Sequence, residues 1–144
     1  MTSKEILNAH SLRNTNSRSD ILEVFLQKNS ALSQPELEKE MHECDRVTIY
    51  RTLATFLDKG ILHKVLDDAG AMKYALCSHI HCSEHYHSHD HVHFKCNLCA
   101  KTICLENLHI PPIKMPNTFL VQEVNLLIQG VCDVCGTNKT ERIA

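Results

Sequence analysis

Asp45-Arg46-Val47-Thr48-Ile49-Tyr50-Arg51-Thr52-Leu53-Ala54-Thr55-Phe56-Leu57-Asp58-Lys59-Gly60 is the stretch on which the fold of the first half turns. Asp45 is a residue type whose side-chain oxygen caps the free backbone N–H groups of a helix start. Gly60 supplies the backbone freedom that ends one. The apolar spacing between them predicts an inner stripe of Tyr50, Leu53 and Leu57. Downstream, residues 61–66 and 72–76 are short strand-like runs, joined by the turn-forming Asp67-Asp68-Ala69-Gly70. Upstream, Ser33-Gln34-Pro35-Glu36 is a capping box with proline in the first turn, opening a helix that buries Leu37 and Met41. Thr15 caps another, running to about residue 28 with Ile21, Leu22 and Phe25 on one face. Three helices followed by a β-hairpin is the order of a winged helix-turn-helix.

The 144 residues suit one ordinary domain or two small ones, and an apolar content of 43% supports a packed core. No apolar run approaches the roughly 18 residues of a membrane span. The start, Met1-Thr2-Ser3-Lys4-Glu5, lacks the basic and apolar blocks of a secretory signal, so a cytoplasmic protein without a membrane partner is expected. A net charge of −2 argues against a polycation but leaves room for a local basic patch on nucleic acid. The outlying counts are eight cysteines and eleven histidines. Disulfides would want a secreted chain; Cys and His in tight spacing point first to metal. Only Cys44 of the eight cysteines lies in residues 1–66, and this shift in composition suggests two domains.

The second half is strand-like. In His91-Val92-His93-Phe94-Lys95 the alternation puts Val92 and Phe94 on one face and His91, His93 and Lys95 on the other. Leu120, Val124, Leu126 and Ile128 fit a second alternating inner face that ends at Gly130. Pro111, Pro112 and Pro116 mark an irregular connection, and no long helix is expected. Cys96-x-x-Cys99 and Cys132-x-x-Cys135 stand 32 residues apart. Four thiolates on two tight turns complete a tetrahedral structural zinc site. The gap exceeds that of a compact zinc ribbon, so a strand excursion must separate the pairs. Neither pair opens an amphipathic helix after a strand, which argues against a thiol oxidoreductase. A closed site of this kind supplies roughly 10 kcal/mol or more of folding free energy.

Taken in order, these motifs resemble the Fur family of metal-responsive bacterial repressors. Leu12-Arg13-x-Thr15-x-x-Arg18-x-x-Ile21-Leu22 is similar to the family's opening helix. Val47-Thr48-Ile49-Tyr50-Arg51-Thr52-Leu53 with Asp58-Lys59-Gly60-Ile61 is similar to its recognition helix and turn. His91-x-His93-x-x-Cys96-x-x-Cys99 and Gly130-x-Cys132-x-x-Cys135 resemble its metal segment and closing knuckle. The resemblance implies an α+β chain: a winged-helix DNA-binding domain over 1–77, a His-rich linker over 78–90, and a small α/β dimerisation domain over 91–144 with the four-cysteine zinc site. It implies a homodimer that binds a pseudo-palindromic operator in double-stranded DNA, and no enzyme activity. Arg46, Thr48, Tyr50 and Arg51 would reach base edges and phosphates from the recognition helix, with Arg13 and Arg18 as phosphate clamps beside it. Core packing of Tyr50 and plain solvation of Arg46 are the open alternatives.

Within the family, Gly60-Ile61-Leu62-His63-Lys64-Val65 and Lys73-Tyr74-Ala75-Leu76-Cys77 resemble the zinc-sensing Zur branch. That resemblance implies a second, regulatory Zn2+ at His63, Cys77, His91 and His93, and control of zinc-uptake genes. The iron and peroxide branches place a histidine where this chain has Ala31 and a carboxylate where it has Cys104, which argues against them. The long 78–90 segment leaves the ligand register open, so that Glu84, His85, His89 or Cys104 can replace one of the four. The rival expectations are an iron- or peroxide-responsive repressor of the same fold and a His-rich zinc buffer or chaperone.

Overall fold

The computed structural model describes residues 1–68, 70–77, 91–122 and 124–137. The chain divides into two compact units, Met1–His87 and Ser88–Ala144. The segment expected as a linker, 78–90, lies outside the described residues.

The first unit runs α1 (Ser3–Ala9), α2 (Asn16–Lys28), β1 (Leu32–Ser33), α3 (Gln34–Glu40), α4 (Arg46–Asp58), β2 (Leu62–Val65) and β3 (Lys73–Leu76). The helix starts are those the capping residues specify. Thr15 accepts from the Arg18 N–H, Ser33 and Glu36 form a reciprocal box, and Asp45 accepts from the Thr48 N–H at 2.6 Å. That last bond holds the Asp45 carboxyl below its ordinary range. Gly60, at φ 72°, closes α4. Helix α1 was not expected, although its own capping box, Thr2 with Glu5, is visible in the sequence. Strand β1 was also not expected; it makes the hairpin a three-stranded sheet in the order β1-β3-β2.

The α4 stripe differs from the expected one. The buried residues are Ile49, Thr52, Leu53 and Phe56, while Tyr50 is 62% exposed. Both sets satisfy helical spacing. The branched and aromatic pair Ile49 and Phe56 wins the core against Leu22, Phe25 and Leu37, because it removes more apolar surface from water than an amphipathic tyrosine would. At the sheet, Lys73 and Asp67 form an ion pair of 2.9 Å whose side chains are nearly or fully buried. It spans the hairpin turn beside the Val65–Lys73 pairing and so fixes the strand register.

The second unit is a sheet in the order β5-β4-β6, from β4 (His91–Cys96), β5 (Thr102–His109) and β6 (Leu126–Gly130). Strand β4 is antiparallel to β5 and parallel to β6. Strand β5 lies within the strand excursion expected between the two cysteine pairs, although no residues were assigned to it there. The alternation expected from residue 120 is a strand only from Leu126 onward; Leu120 is exposed and outside any strand. Residues 133–137 are helical. No helix among the described residues is long and apolar enough to cross a membrane.

The two α4 residues separate cleanly by stability. Phe56→Ala is expected to cost about 3–5 kcal/mol and Tyr50→Ala less than about 0.5 kcal/mol. Urea unfolding followed by helix circular dichroism measures both; a comparable loss for Tyr50→Ala would return it to the core.

Candidate metal centres and nucleic-acid interface

The β4–β5 turn and the segment after β6 bring four sulfurs together. Cys96 ends β4 and is buried. The chain turns so that Ala100, in the left-handed region at φ 61°, donates its N–H to the Cys96 carbonyl at 3.0 Å. The Asn97 N–H reaches the Gly130 carbonyl at 2.7 Å, which draws the end of β6 alongside. Two residues on, the Cys132 N–H donates to the Cys96 Sγ at 3.4 Å. The Sγ atoms of Cys96, Cys99, Cys132 and Cys135 all lie within 4.8 Å of one another, and Cys99 and Cys132 are 3.9 Å apart.

This set fits zinc. Tetrahedral thiolates at about 2.3 Å from the ion are about 3.8 Å from each other. The electrostatics agree. The backbone N–H groups of Cys99 and Cys132 pull the Cys96 thiol down to about 6. Its hydrogen bond with Cys132, with burial and the other sulfurs, pushes Cys135 up to about 12. Packed thiols without a cation resist ionising together, and a bound divalent ion reverses that resistance. Such a site would hold the fold and supplies no reacting position, because protein ligands fill all four places.

In the first unit, β2 turns His63 inward, and it is 2% exposed. Strand β3 leads to Cys77, whose N–H donates to the Ile61 carbonyl at 2.9 Å. The Cys77 Sγ then sits 3.5 Å from His63 Nδ1. In the second unit, His93 is 4% exposed and pairs across β4–β5 with Cys104. A ring nitrogen of His93 and the Cys104 Sγ lie within 4.8 Å. Burial, then Glu106, pushes the Cys104 thiol up to about 11.

His91 begins β4 opposite His109, and the register shifts between His91 and Val92. From His91 to Val92 the pairing moves one residue on β4 and four on β5, so the extra residues of this irregularity belong to β5. The His91 side chain, with Glu84, His85 and His89, lies outside the described residues.

Helix α4 presents Val47, Tyr50, Arg51 and Ala54 to solvent. These positions follow helical spacing, so they share a face opposite Ile49 and Phe56. Val47 and Ala54 were not singled out from the sequence, although the same spacing marks them. Arg46 is exposed and pairs with Glu38 at 3.2 Å, a surface contact worth roughly 0–1 kcal/mol that a phosphate can displace. Thr48 is half-buried. Arg13 is exposed, while Arg18 donates from Nη1 to the Arg13 carbonyl at 2.9 Å and ties the approach to α2.

A winged helix in one chain with a four-thiol centre is the architecture of a metal-responsive transcription regulator. Residues 9–117 match the ferric uptake regulator family. A ferric uptake regulation protein of Staphylococcus epidermidis is 30% identical over 140 residues, covering 93% of this chain and 94% of that one. Among solved structures, the holo XcZur crystal structure has a TM-score of 0.64 at 22% identity, covering 94% of this chain and 96% of that one. A zinc uptake regulator complexed with zinc and DNA has a TM-score of 0.62 at 18% identity, covering 96% and 93%. The chain belongs to the ferric uptake regulator family.

Cys96→Ser is expected to abolish the stoichiometric, chelator-resistant zinc and to unfold or monomerise the second unit. Metal analysis with sedimentation checks this; a stable dimer with full zinc would refute the four-cysteine site.

Proposed function

We propose that this protein is a zinc-responsive repressor. As a cytoplasmic homodimer it binds a pseudo-palindromic operator in double-stranded DNA and controls genes of zinc uptake and homeostasis. One Zn2+ at Cys96, Cys99, Cys132 and Cys135 holds the fold. A second, regulatory Zn2+ draws on His63, Cys77, His91 and His93 and joins the two units. The observation that carries this reading is the His63–Cys77 pair, a buried imidazole 3.5 Å from a thiol on the wing. Nitrogen with sulfur suits zinc, whereas oxygen-rich sets suit ferrous iron or manganese. Ala31, buried and without a donor, stands where the iron branch was expected to place a histidine, which supports the same choice. Similarity in fold to a zinc regulator bound to zinc and DNA adds support of its own.

On DNA, Tyr50, Arg51 and Thr48 of α4 are assigned to base edges and phosphates, with Arg46, Arg13 and Arg18 on the flanking backbone. A dimer doubles the contacts and sets the half-site spacing. Metal acts by preferring the DNA-competent arrangement. Moving a population from one in a hundred to ninety-nine takes about 5.5 kcal/mol of preference, which coordination can supply.

A second reading, an iron-responsive repressor, is favoured by the ferric uptake regulation name of the 30%-identical relative. One experiment separates the two. Duplexes are selected from a random pool at buffered free zinc, and the best is titrated with Zn2+ and, anaerobically, Fe2+. Tight binding with zinc alone is expected; preference for iron would overturn the zinc reading while keeping the operator model. In the same assay Cys77→Ser is expected to abolish zinc-dependent binding with the dimer intact. Arg51→Ala is expected to weaken binding and to lower the salt slope by about 1 for each phosphate that the arginine neutralises.

A further inference from the structure

The outward face of α4 carries an apolar residue that the assignments above leave without a role. Val47 is 55% exposed and stands one turn before Tyr50 and Arg51 on the same face. Packing does not account for it, because Ile49, Leu53 and Phe56 fill the core from the other side of the helix. Helix propensity does not either, since valine is a poorer helix former than alanine. The fold does hold it still. Asp45 caps this turn through the Thr48 N–H at 2.6 Å, and Gln34 of α3 donates from Nε2 to the Arg46 carbonyl at 3.4 Å. Branching at Cβ leaves valine one strongly preferred rotamer on a helix. Exposed cations flank it: Arg46 precedes it and Arg51 follows one turn later. Such cations suit the phosphates that border a groove.

We infer that Val47 is a specificity-determining residue, which reads the C5-methyl group of one thymine in each operator half-site. The inference rests on the operator-binding part of the reading above and not on the choice of metal. The N-terminal residues of a recognition helix are the ones that meet base edges. An isopropyl group offers no hydrogen bond. On the floor of the major groove it therefore has one favourable partner, the thymine methyl, which is the single apolar group the four bases display there. Against the amino group of cytosine or adenine, or O6 and N7 of guanine, it would cover a polar edge without satisfying it, which is costly. Tyr50 and Arg51 carry hydrogen-bonding groups and can adapt to more than one base edge. Val47 cannot, so it restricts the base at the position it covers.

The test uses the full chain at saturating metal and the duplex selected from the random pool. Each thymine in turn is replaced by deoxyuridine, which lacks only the methyl, at both symmetry-related positions. Binding is measured for wild type and for Val47→Ala, a substitution that an exposed helical position accommodates. One thymine pair is expected at which deoxyuridine weakens wild-type binding about 15-fold, or about fourfold per half-site for one lost methyl contact. At that pair the binding of Val47→Ala is expected to be unchanged by deoxyuridine. Val47→Ile, which keeps the branched methyl, is expected to retain the wild-type response. The same response to deoxyuridine in wild type and Val47→Ala at every thymine would overturn the role of Val47 and leave operator binding standing. No enriched duplex under either Zn2+ or Fe2+ would overturn the operator reading, and this inference with it.

Discussion

The second unit depends on keeping Cys96 beside Gly130. Strands β4 and β6 are parallel, and parallel partners need a long crossover, most often a helix that packs back on the sheet. Here residues 110–125 form no helix or strand among the described residues, and Phe119 and Leu120 are exposed. The crossover therefore contributes little to holding its own ends together. A metal held by the four sulfurs would take over that role, because the two cysteine pairs stand at both ends of the excursion. Gly130 lies close against the sheet: a Cβ there would stand 3.2 Å from the Phe94 Cζ, so any larger residue requires that ring to give by a few tenths of an ångström. A small three-stranded sheet with an open crossover is marginal in water. A metal cross-link is one of the few devices that compensates for so small a core.

The helices of the first unit were legible because their signals are local. Thr15, Ser33 with Glu36, Asp45 and Gly60 each act within one turn, and each does what its chemistry dictates. What spacing could not decide was which of two overlapping stripes of α4 faces inward. Tyr50, Leu53 and Leu57 fit helical spacing as well as Ile49, Leu53 and Phe56 do. The choice belongs to the partners, Leu22, Phe25 and Leu37, which are distant in sequence. Alternation failed similarly at residue 120. An alternating run becomes a strand only where a neighbour accepts its hydrogen bonds, and β4 accepts only from Leu126 onward.

The four cysteines were legible for a different reason: two C-x-x-C pairs restrict their own geometry. The proposed regulatory ligands carry no such local signature. His63 and Cys77 meet through the β2–β3 register. His93 stands beside Cys104 through β5, which no alternation located within the strand excursion expected between the cysteine pairs. The register slip after His91 is invisible to any pattern of period two.

The wing explains how a metal could act on the whole chain through two donors. Ordering a flexible ligand costs conformational entropy, which subtracts from whatever coordination contributes. The Lys73–Asp67 pair is desolvated and spans the turn of the same hairpin. The Cys77 N–H is also tied to the Ile61 carbonyl. His63 and Cys77 are therefore held together before any metal arrives, so little ligation free energy is needed to arrange the wing itself. A preformed donor pair on a rigid hairpin would thus make the proposed regulatory metal an efficient lever on DNA binding, because a ligand shifts an equilibrium only by its difference in affinity for the two states.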